Sequence, residues 1–429
     1  MRRLLVLCYF YPPLAGGGVH RVLGFTRYLP RHGWECTVVC ADRGDYWVVD
    51  DSLLARVPDG TEVIRVRGAS WLSAWLGLRR GSGGRRSTRA FAGLRGLSDW
   101  WLMPDSYVGW SKRVRAVAER RARASGFDAL LSTSPPDSVH LAARAVHRSL
   151  GLPWVADFRD PWIGLHYRTP PSAWHRARHV ALERSVLEEA NVVLAASRTH
   201  ADAMCGGSPA PRRVIHLPNG YEPEEPTASA VPAAATAAED HRRFELIFTG
   251  TLAQMPDAEV LLEALHDWFA RRPEARRRVR ARFVGPYESG YEDRSIALGL
   301  KGIAEFMGPR PHAETRALQR GAAALLLWKP RNFPTMVPGK LYEYLDSGRP
   351  ILALLPEGDE AGALVARAGG EIVAPGDRAT LAASLERRYL EWKAGHAPAA
   401  GRPEWLADHT RERLAGRLAG VLDELASGA

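Results

Sequence analysis

Short apolar runs alternate along the chain with segments whose apolar residues recur at helical spacing. In the first 41 residues, LLVLCYF is a short apolar run, PPLAGGG has the residues of a turn, VHRVLGFTRYLPRHG is helix-like and ECTVVCA is strand-like. EVIRV follows as a further strand-like run, and the alternation returns at FDALLST, PWVADF, NVVLAAS and RRVIHLPNG. Repeated strand–helix–strand order predicts a parallel sheet with helices on both faces.

The alternation is interrupted once and then starts again. Residues 223–240 are rich in Pro, Ala and Thr without periodicity, which is typical of a linker. Six further strand-like runs follow it: FELIFTGTL, RARFVGPY, KGIAEFMGP, AAALLLW, PILALLP and GEIVAP. The sequence predicts an α/β protein with two doubly wound, Rossmann-like domains, 1–222 and 241–402, that face a central cleft. A C-terminal helix within 403–429 is expected to pack back on the first domain.

Length and composition fit this organisation. A chain of 429 residues is too long for one ordinary core, and a hydrophobic content of 46% can fill two. Apolar runs are too short for a transmembrane helix, and the start, MRRLLVLCYFYPP, is interpreted as a first strand rather than a signal peptide. The four cysteines show no metal spacing, and three of them lie in apolar strand-like segments, where cysteine usually serves as a small hydrophobic residue. We therefore expect a cytoplasmic protein.

The formal net charge of +10 suggests an anionic partner. The arginines are scattered, without the aromatic pattern of a nucleic-acid-binding module, so phosphorylated small molecules and an anionic membrane surface are favoured over nucleic acid. Residues 70–103 concentrate arginine and tryptophan. This insertion is interpreted either as a contact for a membrane or an acidic acceptor, or as a solvated loop whose tryptophans pack inward.

Two loops of the first domain could carry chemistry. Gly16-Gly17-Gly18 joins a strand to a helix and could admit an anion to the helix N-terminus, or could serve only as a tight turn. DFRDPW, residues 157–162, follows the strand PWVA, at the strand end where doubly wound folds place their active sites. An Asp–Arg pair that merely fixes the loop is the alternative.

In the second domain, glycines and cations follow several strands. Since loops after parallel strands share one rim, these residues are expected to surround a nucleotide. The rim comprises Gly250, Thr251, Gly285, Gly308, Pro309, Arg310, Lys329 and Arg331.

The stretch PGKLYEYLDSGRP predicts a short helix with a binding site at its N-terminus. Pro338 suits a helix start, and the N–H groups of Gly339, Lys340 and Leu341 together with the helix dipole favour a diphosphate. Lys340 adds a positive charge. Glu343, one turn further along, is placed to accept hydrogen bonds from a ribose.

These motifs, in this order, resemble the retaining GT-B glycosyltransferases of the family-four type. The resemblance rests on YFYPPLAGGG after the first strand, LPNG at 217–220 and EYLDSGRP around Glu343, and it covers nearly the whole chain. Four positions depart from the family pattern. Thr335 stands where many members have a first glutamate, Thr251 and Gln254 stand where they have Arg and Lys, and Arg159 replaces a histidine.

The resemblance implies transfer of a sugar from a nucleotide-diphosphate sugar to a small-molecule or lipid-linked acceptor, with retention and without a metal or other cofactor. Asp157, Arg159 and Asp160 would orient the sugar or acceptor. Gly17 and Gly18 would approach the diphosphate, and Lys340, Lys329 and Arg331 would bind it in place of the family's Arg and Lys. His20, Trp100 and Trp101 are assigned to the acceptor side. The composition suggests a GC-rich bacterium. A GT-B sugar-nucleotide epimerase and a non-catalytic binding protein at a membrane surface are the alternatives.

Overall fold

The computed structural model describes residues 1–45, 49–68, 100–164, 169–207, 211–223, 243–252, 255–395 and 401–428. The chain forms two compact units, one of Met1–Gly220 with His409–Ala429 and the other of Tyr221–Asp408. Most of the 70–103 insertion and of the 223–240 linker lies outside the described residues, as does Gln254.

The first unit is built on a parallel sheet. Its described strands are β1 (Arg2–Leu7), β2 (Trp34–Ala41), β3 (Glu62–Val66), β4 (Ala129–Ser134), β5 (Trp154–Phe158), β6 (Val192–Ala195) and β7 (Val214–His216). Their order across the sheet is β3-β2-β1-β4-β5-β6-β7, and every pairing is parallel. In the register of β1, Leu5 lies opposite Thr37 of β2 and Leu130 of β4.

Helices cover both faces of this sheet. They are α1 (Val19–Tyr28), α2 (Val108–Ser125), α3 (Ser138–Leu150), α4 (Ala173–Glu189) and α5 (Arg198–Cys205). Leu5 and Leu7 of β1 belong to the core beneath α2 and α3, whereas Leu4 and Val6 belong to the core beneath α1. A strand buried on both faces must be apolar at successive positions, which explains the continuous runs in the sequence.

The second unit repeats this plan. Its described strands are β8 (Phe244–Thr249), β9 (Val279–Val284), β10 (Ala304–Gly308), β11 (Ala324–Trp328), β12 (Ile351–Leu354) and β13 (Glu371–Val373). Their order is β10-β9-β8-β11-β12-β13, again wholly parallel. The helices are α6 (Pro256–Arg271), α7 (Ser289–Ala297), α8 (His312–Gly321), α9 (Gly339–Ser347), α10 (Glu360–Arg367) and α11 (Arg378–Lys393).

Both sheets have a topological switch point. The strand order reverses between β1 and β4 in the first unit and between β8 and β11 in the second. Ligands of open α/β sheets bind outside the carboxyl ends of the strands at such a point. The loops after these strands are therefore where each unit can hold a ligand.

The last helix, α12 (Arg411–Ala426), packs on the first unit. Leu414, Leu418 and Leu422 enter the same core as Val22 and Phe25 of α1. Its partner surface includes Gly24 of α1, where a Cβ would come within 2.7 Å of the Arg411 side chain. In the part of the chain that the structure describes, no helix is long and apolar enough to cross a membrane.

Candidate functional site

The N-terminus of α9 has the geometry that the sequence predicts. Pro338 is the N-cap, with a φ of −61°, and the helix runs from Gly339 to Ser347 before Gly348 ends it in the left-handed conformation. The N–H of Leu341 donates to the Pro338 carbonyl at 3.0 Å. The N–H groups of Gly339 and Lys340 have no intrahelical acceptor, so they are the two amides that can meet an anion.

Lys340 carries the positive charge of this helix end. Its ammonium lies 3.6 Å from the centre of the Phe248 ring and would be 3.5 Å from a Cβ on Gly250. No ion-pair partner for it occurs among the described residues, and burial lowers the pKa of the ammonium well below its ordinary value. A cation held next to an aromatic face and two open amides is a site that an anionic ligand would stabilise.

Glu343 lies one turn further along α9 and forms a hydrogen bond that the sequence did not reveal. Its Oε1 is 3.0 Å from Nε2 of His312, the first residue of α8. Arg316 stabilises the same turn of α9, since it donates to the Glu343 carbonyl at 2.6 Å and pairs with Asp346. In the sequence, His312 could have been identified from its position, because it comes two residues after Arg310, which was predicted to line the nucleotide.

The predicted glycine rim of the second unit is assembled by backbone hydrogen bonds. The Gly250 N–H donates to the Val284 carbonyl at 2.8 Å, and the Gly285 N–H donates to the Gly308 carbonyl at 2.9 Å. Gly250 and Gly285 have φ values of +119° and +135°, and a Cβ on Gly285 would overlap the Gly250 carbonyl. These two positions therefore require glycine.

Three other residues of the rim are exposed. Thr251, Pro309 and Arg310 are all exposed, and the Arg310 guanidinium is 3.8 Å from the Glu314 carboxylate. They stay predictions as ligand contacts.

Lys329 and Arg331, predicted to contact a diphosphate, are engaged with protein groups. Lys329 is buried, with its Nζ 2.5 Å from an Asp359 oxygen and 2.8 Å from the Pro334 and Met336 carbonyls. It fixes the loop that precedes α9, and these three oxygens occupy its ammonium, so in this arrangement it is a structural cation rather than the predicted diphosphate contact. Arg331 is partly exposed and pairs with Asp257 at 2.5 Å.

In the first unit, the glycine loop and the DFRD loop meet. Arg159 lies directly against Gly18, so that a Cβ on Gly18 would overlap its guanidinium. The guanidinium is also 3.3 Å from the carboxylate of Asp160. Both side chains are partly accessible, with 14% and 22% of their surface exposed, so they can contact a ligand. Gly17 is open, with no atom within 4 Å of a Cβ placed there.

Asp157, predicted to orient the sugar or acceptor, is not accessible to either. It lies within β5 rather than after it, and it is completely buried. Its carboxylate accepts from Nη2 of Arg21 at 2.7 Å, from Nε at 2.9 Å and from the Thr133 hydroxyl at 2.8 Å. Arg21 also donates to the Pro218 carbonyl at 2.7 Å. Asp157 is therefore placed to support the loop, whereas Arg159 and Asp160 are partly accessible and stay predicted contacts of the sugar or acceptor.

Two side chains of α4 hold the loop that follows Asp160. The Trp162 indole donates to Nδ1 of His179 at 3.0 Å, and the Glu183 carboxylate accepts from the backbone N–H groups of Trp162 and Ile163. Burial, reinforced by the negative charge of Asp137, raises the pKa of Glu183 to about 7. Neither residue was identified from the sequence, because helical spacing alone does not tell which loop a buried polar side chain will meet.

The three residues assigned to the acceptor side lie in different environments. His20 is in the first turn of α1 and is partly buried, whereas Trp100 and Trp101 are exposed by 53% and 85%. Among the described residues, no hydrogen bond, ion pair or ring contact joins these two tryptophans to Arg159 or Asp160. Among the described residues, no group of three His, Cys, Asp or Glu side chains could hold a metal ion.

Comparison with known proteins gives a family match for part of the chain and a fold for the whole of it. Residues 16–220, just under half of the chain, match the family model described as Glycosyl transferase 4-like domain. The chain also superimposes over its whole length on sucrose-phosphate synthase from Thermosynechococcus elongatus, with a TM-score of 0.69, 14% identity and full coverage of both chains. The chain has the GT-B fold.

Two further GT-B structures agree. HepE of Anabaena, in complex with UDP-glucose, gives a TM-score of 0.67 at 15% identity and covers 99% of this chain and 100% of its own. WaaG, a glycosyltransferase involved in lipopolysaccharide biosynthesis, gives 0.63 at 16% identity, with 98% and 99% covered. A sequence comparison with curated proteins finds no match. The predicted fold class, two doubly wound parallel-sheet domains of the GT-B type, is confirmed.

Proposed function

We propose that this protein is a retaining glycosyltransferase, which moves a sugar from a nucleotide-diphosphate sugar to a small-molecule or lipid-linked acceptor. The observation that carries the proposal is the ammonium of Lys340, which lies 3.6 Å from the centre of the Phe248 ring, without an ion-pair partner among the described residues, beside the open amides of Gly339 and Lys340. A diphosphate supplies the negative charge that this arrangement lacks. The GT-B fold and the glycosyl transferase 4-like match of residues 16–220 support the same function.

The nucleotide would lie along the rim of the second unit. With the diphosphate at the α9 N-terminus, Glu343 is one helical turn away, and its carboxylate would accept hydrogen bonds from the ribose hydroxyls while His312 holds it in place. The positive-φ glycines 250 and 285 would let the backbone approach the nucleotide closely. HepE, which shares this fold, has been solved with UDP-glucose.

The chemical step would depend on stabilising charge. As the bond between the sugar and the diphosphate breaks, negative charge grows on the leaving phosphate, where Lys340 and the helix amides lie. The departing phosphate oxygen would accept the proton of the attacking acceptor hydroxyl on the same face of the sugar, which gives retention. Arg159 and Asp160 would orient the sugar or the acceptor, and this reaction would require no metal ion.

The first experiment measures thermal stabilisation by UDP, GDP, dTDP and ADP. A ligand at about 100 times its Kd adds roughly 2.7 kcal/mol to the free energy of unfolding. We expect a clear shift with one base, lost in Lys340→Ala and Glu343→Ala and kept in Lys393→Ala, which removes an exposed lysine of α11. No shift with any of the four nucleotides would contradict the donor site.

A second measurement separates a catalyst from a binding protein. With the matching nucleotide sugar and no acceptor, a glycosyltransferase should slowly release the free sugar by transfer to water. Chromatography of the products distinguishes this from epimerisation, which would leave the nucleotide attached to an altered sugar. Binding without either product would favour the non-catalytic alternative.

A further inference from the structure

Three tryptophans of the first unit are exposed, and two of them lie together. Trp100, Trp101 and Trp174 are exposed by 53%, 85% and 66%, while the other described tryptophans are buried or partly buried. The rings of Trp100 and Trp174 both stand edge-on to the buried His175, at centroid distances of 5.1 and 4.9 Å. Nε2 of His175 is also 3.4 Å from the Trp100 carbonyl, so Trp100 and Trp174 belong to one surface, and Trp101 follows Trp100 directly in the chain.

The outward side of α4 continues this surface. His175, His179 and Val186 face the interior, and on the opposite side Ala173, Trp174, Ala177, Val180 and Ala181 are exposed. An exposed helix face in a water-soluble domain is ordinarily polar, whereas this one is apolar between residues 173 and 181 apart from two arginines. Exposed apolar residues are common singly, but a contiguous group of them marks an interaction site.

The two arginines are Arg176 and Arg178. At about 100° of rotation per residue, they fall on opposite edges of the exposed apolar face. Both are exposed, neither has an ion-pair partner among the described residues, and no acidic residue occurs between 173 and 182. The name tryptophan face is used here for Trp100, Trp101, Trp174, Val180, Arg176 and Arg178.

We propose that the tryptophan face docks this protein on an anionic lipid bilayer. Indole rings prefer the boundary between headgroups and acyl chains, where an apolar ring and a polar N–H are both satisfied. Arginines at the edges of an apolar helix face pair with anionic headgroups, and small alanines let the helix lie close to the surface. The net charge of +10 acts in the same direction. The proposal does not depend on glycosyl transfer.

Vesicle co-sedimentation tests the docking. The full-length protein is mixed with vesicles of phosphatidylcholine alone or with phosphatidylglycerol added, and the bound fraction is measured against lipid concentration. We expect binding to the anionic vesicles only, weakened by salt because headgroup pairing is screened. Equal binding to both vesicle types, or to neither, would overturn the proposal.

Two double variants locate the contact. Trp101→Ala/Trp174→Ala should weaken binding by about tenfold or more through lost apolar burial. Arg176→Gln/Arg178→Gln should weaken it by about 25-fold, at about fivefold per charge. The matched control is Arg120→Gln/Arg123→Gln, which removes two exposed arginines from α2 of the same unit and should bind like the wild type. Wild-type binding by the two test variants would place the contact elsewhere and overturn the proposal.

A second copy of the chain is the competing occupant of this surface. Sedimentation velocity without lipid tests it, since a dimer at the tryptophan face would dissociate in Trp101→Ala/Trp174→Ala. A dimer that dissociates in this variant while vesicle binding is unchanged would overturn membrane docking. A monomer whose vesicle binding is lost in the same variant supports it. All substituted side chains are exposed, so the fold is expected to survive, as circular dichroism would verify.

Discussion

At the scale of single residues, the charged side chain of Lys340 destabilises the ligand-free protein and favours the binding of an anion. Its ammonium is desolvated above Phe248, and burial lowers its pKa below the ordinary 10.5. The folded state therefore binds this proton less tightly than the unfolded chain does. Desolvation of the charged ammonium therefore lowers the free energy of unfolding by its full amount below the folded-state pKa. This destabilisation disappears as the pH rises through that pKa toward 10.5.

Replacing Lys340 with Met should consequently stabilise the protein without ligand while abolishing its response to nucleotide. We expect the Tm at pH 7 to rise by about 2–4 °C for each kcal/mol of relieved cost, and the gain to shrink as the pH approaches about 10. Differential scanning fluorimetry measures both effects. Lys393→Met, at an exposed position, should leave the Tm unchanged, and a lower Tm for Lys340→Met at pH 7 would contradict the prediction.

Gly18 is required because the Arg159 side chain occupies the space that a Cβ at this position would need. A Cβ there would overlap the Arg159 guanidinium, which is the movable end of a long side chain. Gly18→Ala should therefore change the free energy of unfolding by less than about 0.5 kcal/mol and lower the transfer rate by about tenfold through displacement of Arg159.

A double-mutant cycle checks this mechanism. In an Arg159→Ala background, Gly18→Ala should have little further effect on the rate, because the displaced group is already gone. Gly44→Ala, where a Cβ meets no atom within 4 Å, serves as the control for a glycine-to-alanine change. Additive losses in the double variant would show that Gly18 acts independently of Arg159.

At the scale of elements, the sequence predicted the features that burial determines and missed those that depend on how separate loops face each other. The described strands of the two sheets could be located, because the central ones, buried on both faces, are continuous apolar runs and the partly exposed edge strands continue the strand–helix alternation. The α9 N-terminus was also identified, since proline and glycine mark helix ends. The pairing of Lys329 with Asp359, and of Glu343 with His312, joins residues from different loops, which local pattern does not encode.

The contact between helix α4 and the loop after Asp160 depends on pH, because it involves the carboxyl group of Glu183. Burial raises the pKa of Glu183 to about 7, so the folded state binds this proton more tightly than the unfolded chain. Stability from this group is therefore full below the ordinary carboxyl pKa and is lost as the pH rises from about 4.5 to about 7.

Glu183→Gln should remove this dependence. Glutamine keeps an oxygen that can accept from Trp162 and Ile163 and carries no charge to desolvate. Relative to the variant, the wild type should lose about 1–3 kcal/mol between pH 5 and pH 8, measured by urea unfolding at each pH. Glu188→Gln, an exposed substitution on the same helix, should follow the wild type. A constant difference between wild type and Glu183→Gln would show that Glu183 does not titrate in this range.

At the scale of the whole molecule, the chain passes from the first unit to the second and returns. The return is made by α12, whose Leu414, Leu418 and Leu422 complete the core beneath α1. The first unit therefore depends on a segment that is synthesised after the whole of the second.

Leu418→Ala should destabilise the first unit by about 2–5 kcal/mol, because it opens a cavity at a fully buried position. Hydrogen exchange followed by mass spectrometry should show faster exchange in β1 and α1, with β8 and β11 unchanged. Leu390→Ala, at an exposed position of α11, is the control. Equal acceleration in β8 and β11 would mean that the two units unfold together.

The buried pair of Arg21 and Asp157 also determines how a mutational screen of this protein should be interpreted. Removing Asp157 leaves the Arg21 guanidinium buried without its carboxylate, a change that typically lowers the free energy of unfolding by about 3–5 kcal/mol. An Asp157→Ala variant would thus lose activity by failing to fold, and a screen scored on product alone would rank it with true substrate contacts. Yield of soluble protein, recorded beside activity, separates the two classes.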